Sequence, residues 1–431
     1  MRTSTFEILR CPYCGSRLDL VTSSFHQLQG DEIQHGILGC QCCVFPVVDG
    51  IPVMHLQPAA TKARELVERG ETVNARRVMF GLDEADLAVG ERVDTLIASE
   101  AATYRTIVEA FGEYIEGGYF LYRFADPTFV VGHAVTRAVA GTVLKHGGRA
   151  IDICGGSGHL TRSLMDLSDT APVLADLYFA KIWLARRFTA PGCEPVCCDG
   201  NSPMPFARGA FRYAMCSDAF MYIWTKRQFV QDMLRVIDHG DRGEGSRESA
   251  AVISHTHNQC TWTPSHGQPL TPDGYRNLFE TIEPRIYGES ALFADVVNGG
   301  PLDLSRLTPS GTLEAEPALT VIATRHPGVF VPHALEPPPD QARGEFRVNP
   351  LYVESGSSVA SVVFRLRFPS DDYEQEYGAC RQYLPEEVAI PREALSALAA
   401  GRAPGNLTDL VRRRVIVDLP RRYDAPVAGI T

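Results

Sequence analysis

Two cysteine pairs stand near the start of the chain. Cys11 and Cys14 lie in "CPYCGSRLDL", and Cys40 and Cys43 lie in "GCQCCVFPVVDGIPV". A C-x-x-C turn presents two thiolates from one tight loop, and two such turns complete a tetrahedral Zn²⁺ shell. A disulfide reading needs an oxidising compartment, and a redox C-x-x-C should open a helix after a strand, which "CPYCGSRLDL" does not. Four thiolates leave no open coordination position, so this zinc is expected to be structural. Cys42, beside a ligand, is expected to point away and be inert. The 25 residues between Cys14 and Cys40 suit a hairpin insertion.

A second set of residues begins at Asp152. "RAIDICGGSGHLTRSLMDL" reads as a strand, a glycine-rich turn and a helix with Leu160, Leu164 and Leu167 on one face. Gly155, Gly156 and Gly158 would let backbone pass close to a ligand and open a helix N-terminus toward it. Three further short apolar runs end in acids: "PVLAD" at Asp176, "EPVCCD" at Asp199 and "FRYAMCSD" at Asp218. Asp176 is placed to accept two ribose hydroxyls, and Asp199 to receive an adenine amino group. A nicotinamide dehydrogenase would carry G-x-G-x-x-G, but Thr161 stands where the third glycine or alanine should be, so that reading is rejected.

Two resemblances follow from these residues. "EILRCPYCGSRLDL" with "GILGCQCCVFPVVDGIPVM" resembles the small zinc-ribbon activator subunit of tRNA and release-factor methyltransferases, over about residues 5–56. That resemblance implies a docking module that shields apolar surface of a methyltransferase, and no catalyst. The run from Asp152 to Gly158 and the spaced strand-end acids are similar to class I methyltransferases that use S-adenosylmethionine (SAM), over roughly residues 147–290. There the D-x-G-x-G-x-G loop cradles the methionine part, and here Cys154 replaces the first glycine, which is tolerable if its φ stays below zero. The cofactor-binding set implied is Asp152, Gly155, Gly156, Gly158, Asp176, Leu177, Asp199, Gly200 and Ser217.

Methyl transfer is in-line displacement from a sulfonium, so an enzyme mostly positions the partners and needs a base only if the acceptor loses a proton. Candidates come from the carboxyl ends of the strands: Asp218, Tyr222, His255, His257 and Asn258. His257, Asp218 and Tyr222 are read as the catalytic set. His255 and His257 alternate on one strand; as a metal pair they lack an obvious third ligand in the sequence.

The elements that must position these groups follow from period and composition. Short apolar runs alternating with helical stretches over 149–237 read as βαβ units. The fold class expected is α/β, a Rossmann-like seven-stranded class I methyltransferase sheet with an N-terminal zinc ribbon, a helical cap and a β-containing C-terminal extension. The boundaries read are 1–58 for the ribbon, 59–146 for the helical cap or substrate region, 147–326 for the SAM-binding domain and 327–431 for the extension. Tyr119, Phe120, Tyr122, Phe124 and Phe129 around Arg123 and Asp126 read as a buried helix-to-helix connection or a pocket. "ALFADVVNGGPLDLSRLTPSGTLEAE" reads as a lid, a substrate loop or a disordered insertion.

The chain has 431 residues, 45% of them apolar and 22% charged, with a formal charge of −11. That charge, without a long basic run, argues against a nucleic-acid partner. No apolar stretch is long enough to span a membrane, and "MRTSTFEILR" holds no signal-peptide core. Free thiols within strand-like runs point to a reducing compartment, hence the cytoplasm. The function expected is a SAM-dependent methyltransferase with a small-molecule acceptor, a biosynthetic intermediate or a sugar derivative. The rivals are an RNA or protein methyltransferase, a non-catalytic SAM-binding scaffold, and a SAM fold diverted to cyclisation or elimination. The extension reads as a β-rich addition to the main sheet, the surface of a homodimer or part of the substrate site.

Overall fold

The computed structural model describes residues 1–82, 86–112, 120–238, 248–262, 267–402 and 407–424. Tyr119 and most of the polar loop after Ile237 lie outside the described residues.

Seven strands form the central sheet: β1 (Ala150–Ile153), β2 (Val173–Asp176), β3 (Glu194–Cys197), β4 (Tyr213–Ser217), β5 (Ala250–His257), β6 (Arg285–Gly288) and β7 (Ala318–Thr324). Their order is β6-β7-β5-β4-β1-β2-β3. β1 to β5 run parallel, and β7 is antiparallel to both neighbours. Every residue of β1, β2, β3 and β7 is buried. Strands covered on both faces need continuous apolar runs rather than alternation, which is why "VLAD" and "ALTVIAT" read as they do. The seven-stranded sheet expected is present.

The helix expected after the glycine turn is not. Thr161–Leu164 forms only a 3₁₀ turn, with Arg162 N–H bonded to the Gly158 carbonyl and Ser163 N–H to Leu160. Leu160 and Leu164 are still buried and Leu167 partly so, but no α-helical N-terminus faces a ligand there. "TPDGYRNLFETI", whose apolar spacing also reads as a helix, keeps only Pro272–Arg276 helical.

The N-terminal ribbon holds an antiparallel sheet, with Glu32–Gly39 paired to Val44–Val48 and that strand to Ile51–Pro52. It docks on the free edge of the large sheet at β3. Val53 bridges Cys197 in parallel, and Met54 N–H donates to the Cys197 carbonyl at 2.7 Å. On the other side Leu9 bridges Phe206. Leu9, Phe45, Val47 and Met54 belong to the same apolar core as Val196, Phe206 and Ala214. Glu194, the first residue of β3, ties the two together: it pairs with Arg2 at 3.0 Å and accepts from Thr5 Oγ1 at 3.0 Å.

The chain divides into two compact units, 1–90 with 132–292 and 303–333, and 91–131 with 293–302 and 334–431. Residues 59–146, read as one cap, are therefore shared between them. Helices Pro58–Glu68 and Thr72–Met79 stay with the ribbon, whereas Tyr104–Phe111 belongs to the second unit. That unit has its own core around Phe346, Leu351, Phe364, Tyr373 and Ile390, and its β structure includes a hairpin, Tyr352–Ser357 with Ser361–Leu366, which the run "YVESGSSVASVVFRL" suits. The aromatic segment is a buried connection inside it. Asp126 accepts from the Phe129 amide at 2.6 Å and pairs with Arg123, while Phe124 packs edge-on against Phe129 and Tyr423. The stretch read as a lid holds two helices, Glu289–Val297 and Ser310–Ala315.

Candidate functional site

The structure gathers Cys11, Cys14, Cys40 and Cys42, with all four sulfurs within 4.8 Å of one another. Cys11–Cys42 and Cys14–Cys40 are 3.7 Å apart and Cys40–Cys42 3.6 Å. Thiolates ~2.3 Å from a tetrahedral zinc have edges of about 3.8 Å, so this donor set and spacing fit that ion. Cys43, expected as the fourth ligand, is outside that mutual set although its sulfur lies 3.4 Å from that of Cys42, and Cys42, expected to be turned away, is inside it. The knuckle explains the exchange. Cys40 N–H closes a turn on the Cys43 carbonyl at 2.9 Å, which leaves Cys43 against the core at the threshold of a strand and Cys42 at the tip.

At the end of β1 the backbone turns sharply, with φ of 60° at Cys154, 54° at Gly156 and 75° at Gly158. The expectation that Cys154 would keep φ below zero is not met, so the thiol sits on left-handed backbone that disfavours any side chain. A Cβ on Gly158 would meet Ala185 Cβ at 2.8 Å, and one on Gly155 would meet the Asp152 carboxylate at 2.5 Å. Glycine is demanded at both. Asp176 pins the turn: Gly156 N–H donates to Oδ2 at 2.9 Å and Tyr178 N–H to Oδ1 at 2.8 Å. Burial pushes its carboxyl above the usual range, against the pull of the Tyr178 amide, Lys181 and the Gly156 amide.

Asp152 is the more perturbed acid. It is 1% exposed, and burial raises it to about 7 despite a hydrogen bond from Thr161 Oγ1 to Oδ2 at 2.6 Å. Its Oδ1 has no partner, and neither do the buried Ser157 and Ser217 hydroxyls. Buried polar atoms are seldom left so. One stands on β1, one in the glycine turn that follows it and one at the end of the adjacent strand β4, a set that suits a ligand rich in donors and acceptors. The ammonium and hydroxyls of SAM are such groups. Asp199 accepts from Asn201 N–H at 2.8 Å, the Leu177 carbonyl accepts from Cys197 Sγ at 3.2 Å, and a Cβ on Gly200 would come within 3.3 Å of Cys154 Sγ. Ser157 was not singled out in the sequence, although its place between two of the named glycines marked it.

Across β4 and β5 the acceptor candidates assemble only in part. Asp218, His255 and His257 come together, with one donor atom of each inside a 4.8 Å span. The two rings meet edge-on at 5.6 Å. His257 is held below the usual histidine range by burial first and then by His255, with Asp218 and Glu289 opposing. Tyr222 ends a 3₁₀ turn, Phe220–Tyr222, and is half exposed. Asn258 is structural: fully buried, its Nδ2 donates to the carbonyls of Leu313 and Glu316 at 2.8 Å each. Glu289, absent from the sequence reading, accepts from His255 at both the amide and Nδ1, 2.7 Å each.

The strand order, with its antiparallel β7 between β5 and β6, is that of the class I methyltransferase fold, as the resemblance implied. No protein family and no curated protein matches the chain. Among solved structures, a methyltransferase from Bacillus halodurans is 14% identical over 44% of this chain and 98% of its own, with a TM-score of 0.31. A chain of the complex between the Haloferax volcanii Trm112 methyltransferase activator and a methyltransferase is 15% identical over 53% of this chain and 100% of its own, TM-score 0.35. Geranyl diphosphate C-methyltransferase from Streptomyces coelicolor is 13% identical over 43% of this chain and 76% of its own, TM-score 0.31. The fold stands on the strand order itself. Among the described residues no helix is long and apolar enough to cross a membrane.

Proposed function

We propose that the chain is a SAM-dependent methyltransferase acting on a small-molecule acceptor, with its zinc-ribbon helper fused in cis. The observation that carries this reading is the set of unpartnered buried atoms, Asp152 Oδ1, Ser157 Oγ and Ser217 Oγ, beside a turn whose Gly155 and Gly158 admit no side chain. Asp152 would face the cofactor's ammonium. Asp176, already fixed by two amides, keeps lone pairs for the ribose hydroxyls, because an ionised carboxylate accepts at about four sites. Asp199, Gly200 and Leu177 would border the adenine. Asp218, Tyr222 and His257 would meet the acceptor at the neighbouring strand ends, where ligands of open α/β sheets bind.

The ribbon has a structural task in this reading. Its thiol site holds zinc, and its strand covers the β3 edge. The net charge of −11 favours a small acceptor over RNA. Calorimetry with SAM, followed by transfer of a labelled methyl group to a panel of oxygen- and nitrogen-bearing metabolites, tests the proposal. A folded protein that does not bind SAM refutes it, and one that binds SAM but methylates nothing favours the scaffold.

A further inference from the structure

We infer that Asp218, His255 and His257 bind one divalent transition-metal cation, and that this cation holds the oxygen atoms of the methyl acceptor. The first half stands on geometry alone; the second rests on the methyltransferase reading above. One carboxylate oxygen and one ring nitrogen from each histidine lie within 4.8 Å of one another. Ligands ~2.1 Å from a metal stand about 3–4 Å apart, so the three groups need only a small closing movement. Two imidazoles and a carboxylate suit Mn²⁺, Fe²⁺, Co²⁺ or Zn²⁺ and leave coordination positions open.

Three observations go beyond proximity. Glu289, 8% exposed, accepts from His255 Nδ1 at 2.7 Å and is itself anchored by Thr320 Oγ1 at 2.8 Å. A carboxylate held against one ring nitrogen fixes the tautomer and the orientation of the ring, the arrangement that supports metal-bound histidines. Second, Asp218 and His255 both have left-handed backbone, with φ of 54° and 47°. Asp and His enter that region more readily than most side chains, yet only a few per cent of non-glycine residues do. Third, β5 carries an extra residue against β7 between Ile253 and Thr256, and Asp218 N–H is bonded to the Ser254 carbonyl within that bulge at 3.0 Å. Bulges re-aim side chains beside sites. An ordinary His–Glu pair would account for Glu289, but not for the strained backbone of two residues on neighbouring strands whose donors converge with His257.

With three protein ligands the cation keeps adjacent positions open. They fit a small molecule that presents two neighbouring oxygens, such as a hydroxyl beside a carbonyl or a second hydroxyl. Coordination makes the hydroxyl more acidic. Its proton passes to solvent and an oxygen lone pair forms the bond to the methyl carbon. The carbon–sulfur bond breaks with its pair left on sulfur, which becomes a neutral thioether. No oxidant or reductant enters.

The test uses the full-length, zinc-loaded protein and Mn²⁺ as probe, a hard cation that prefers oxygen and nitrogen to the thiol site. Free Mn²⁺ is counted by its paramagnetic resonance signal. One Mn²⁺ per chain should bind, and Asp218→Asn and His255→Asn should each weaken it at least tenfold. Asparagine tolerates the left-handed backbone at both positions, and an unchanged SAM affinity in the same variants shows that they are folded. Acetohydroxamate, a bidentate oxygen chelator, should alter the spectrum of the bound ion. No Mn²⁺ binding by protein that binds SAM, or binding untouched by both variants, overturns the metal site and leaves the methyltransferase reading standing. An unchanged spectrum with acetohydroxamate overturns the acceptor role, as does protein that binds Mn²⁺ at the triad but not SAM.

Discussion

Asp152→Asn is the most discriminating single change at the cofactor end. The side chains are isosteric, and Thr161 can still donate to the retained carbonyl oxygen, so the fold has little reason to shift. The wild-type acid sits at about 7 because burial opposes its charge, about three units above its ordinary value. The sign follows from proton counting. Between about pH 4 and 7 the folded state binds more protons than the unfolded chain, so stability falls as pH rises through that window. At 1.36 kcal/mol per unit the loss approaches roughly 4 kcal/mol. The asparagine variant should be flat over the same range and more stable than wild type at pH 7.5. SAM affinity should respond in the opposite sense. A cationic ammonium beside Oδ1 requires the carboxylate, so wild-type affinity should rise by about tenfold per unit from pH 5 and level off near 7, with proton release. The variant should bind roughly 10- to 150-fold more weakly at pH 7, the loss of one charge-assisted hydrogen bond. Calorimetry in two buffers of different ionisation enthalpy measures both. Wild-type binding that is independent of pH from 5 to 7, with no proton released, would refute the reasoning.

Other consequences are equally direct. Cys42→Ser should release zinc to a chromogenic chelator far faster than wild type while Cys43→Ser retains it; the reverse order would restore the C-x-x-C set. Asp176→Ala should weaken SAM by roughly 1.5–3 kcal/mol per hydrogen bond lost and also loosen the glycine turn that its carboxylate pins, visible as faster amide exchange at Gly156. Gly158→Ala should lower stability by at least ~1–2 kcal/mol from left-handed backbone alone, with the Ala185 contact adding to it, as read by thermal unfolding.

What was legible in the sequence was local. A glycine turn after an apolar run, and acids at the ends of such runs, are set within a few residues, and the parallel core strands show themselves by lacking polar alternation. What was not legible depends on pairing between distant segments. Cys42 and Cys43 are both adequate by spacing, and only the folded knuckle puts the Cys42 sulfur within reach of all three others, with the Cys43 sulfur beside it at 3.4 Å. The third partner of the two histidines was in plain view as Asp218, but the register that pairs Ser217 with Ser254 is what brings it beside them. Glu289 had no signal, because a buried acid opening a helix 32 residues beyond His257 looks like any helix-start acid. The turn at Thr161 was misread as an α-helix because apolar spacing alone does not separate three residues per turn from 3.6 over so short a run.

The ribbon's role admits a last prediction. An exposed β3 edge would offer unpaired backbone groups to any other chain, and such edges are normally covered or charged. Here Val53 and Met54 cover it, and the ribbon's Phe45 and Val47 complete the apolar core beneath. Helices Pro58–Glu68 and Thr72–Met79 extend the same cover, with Phe80 packed against Phe179 and Trp183 at 5.8 and 5.4 Å. Losing the metal should therefore act at a distance. In the full chain, Cys11→Ser with Cys14→Ser should unfold the clip, expose β3 and lower the temperature of aggregation, with little change in SAM affinity for the fraction still folded, because no thiol of the clip belongs to the cofactor set. Splitting the chain between 82 and 86 should leave residues 86–431 insoluble when expressed alone and soluble when residues 1–82 are supplied as a second polypeptide. If 86–431 is soluble and binds SAM with full affinity without that partner, the edge does not need its cover, and the ribbon must serve some other purpose than shielding the sheet.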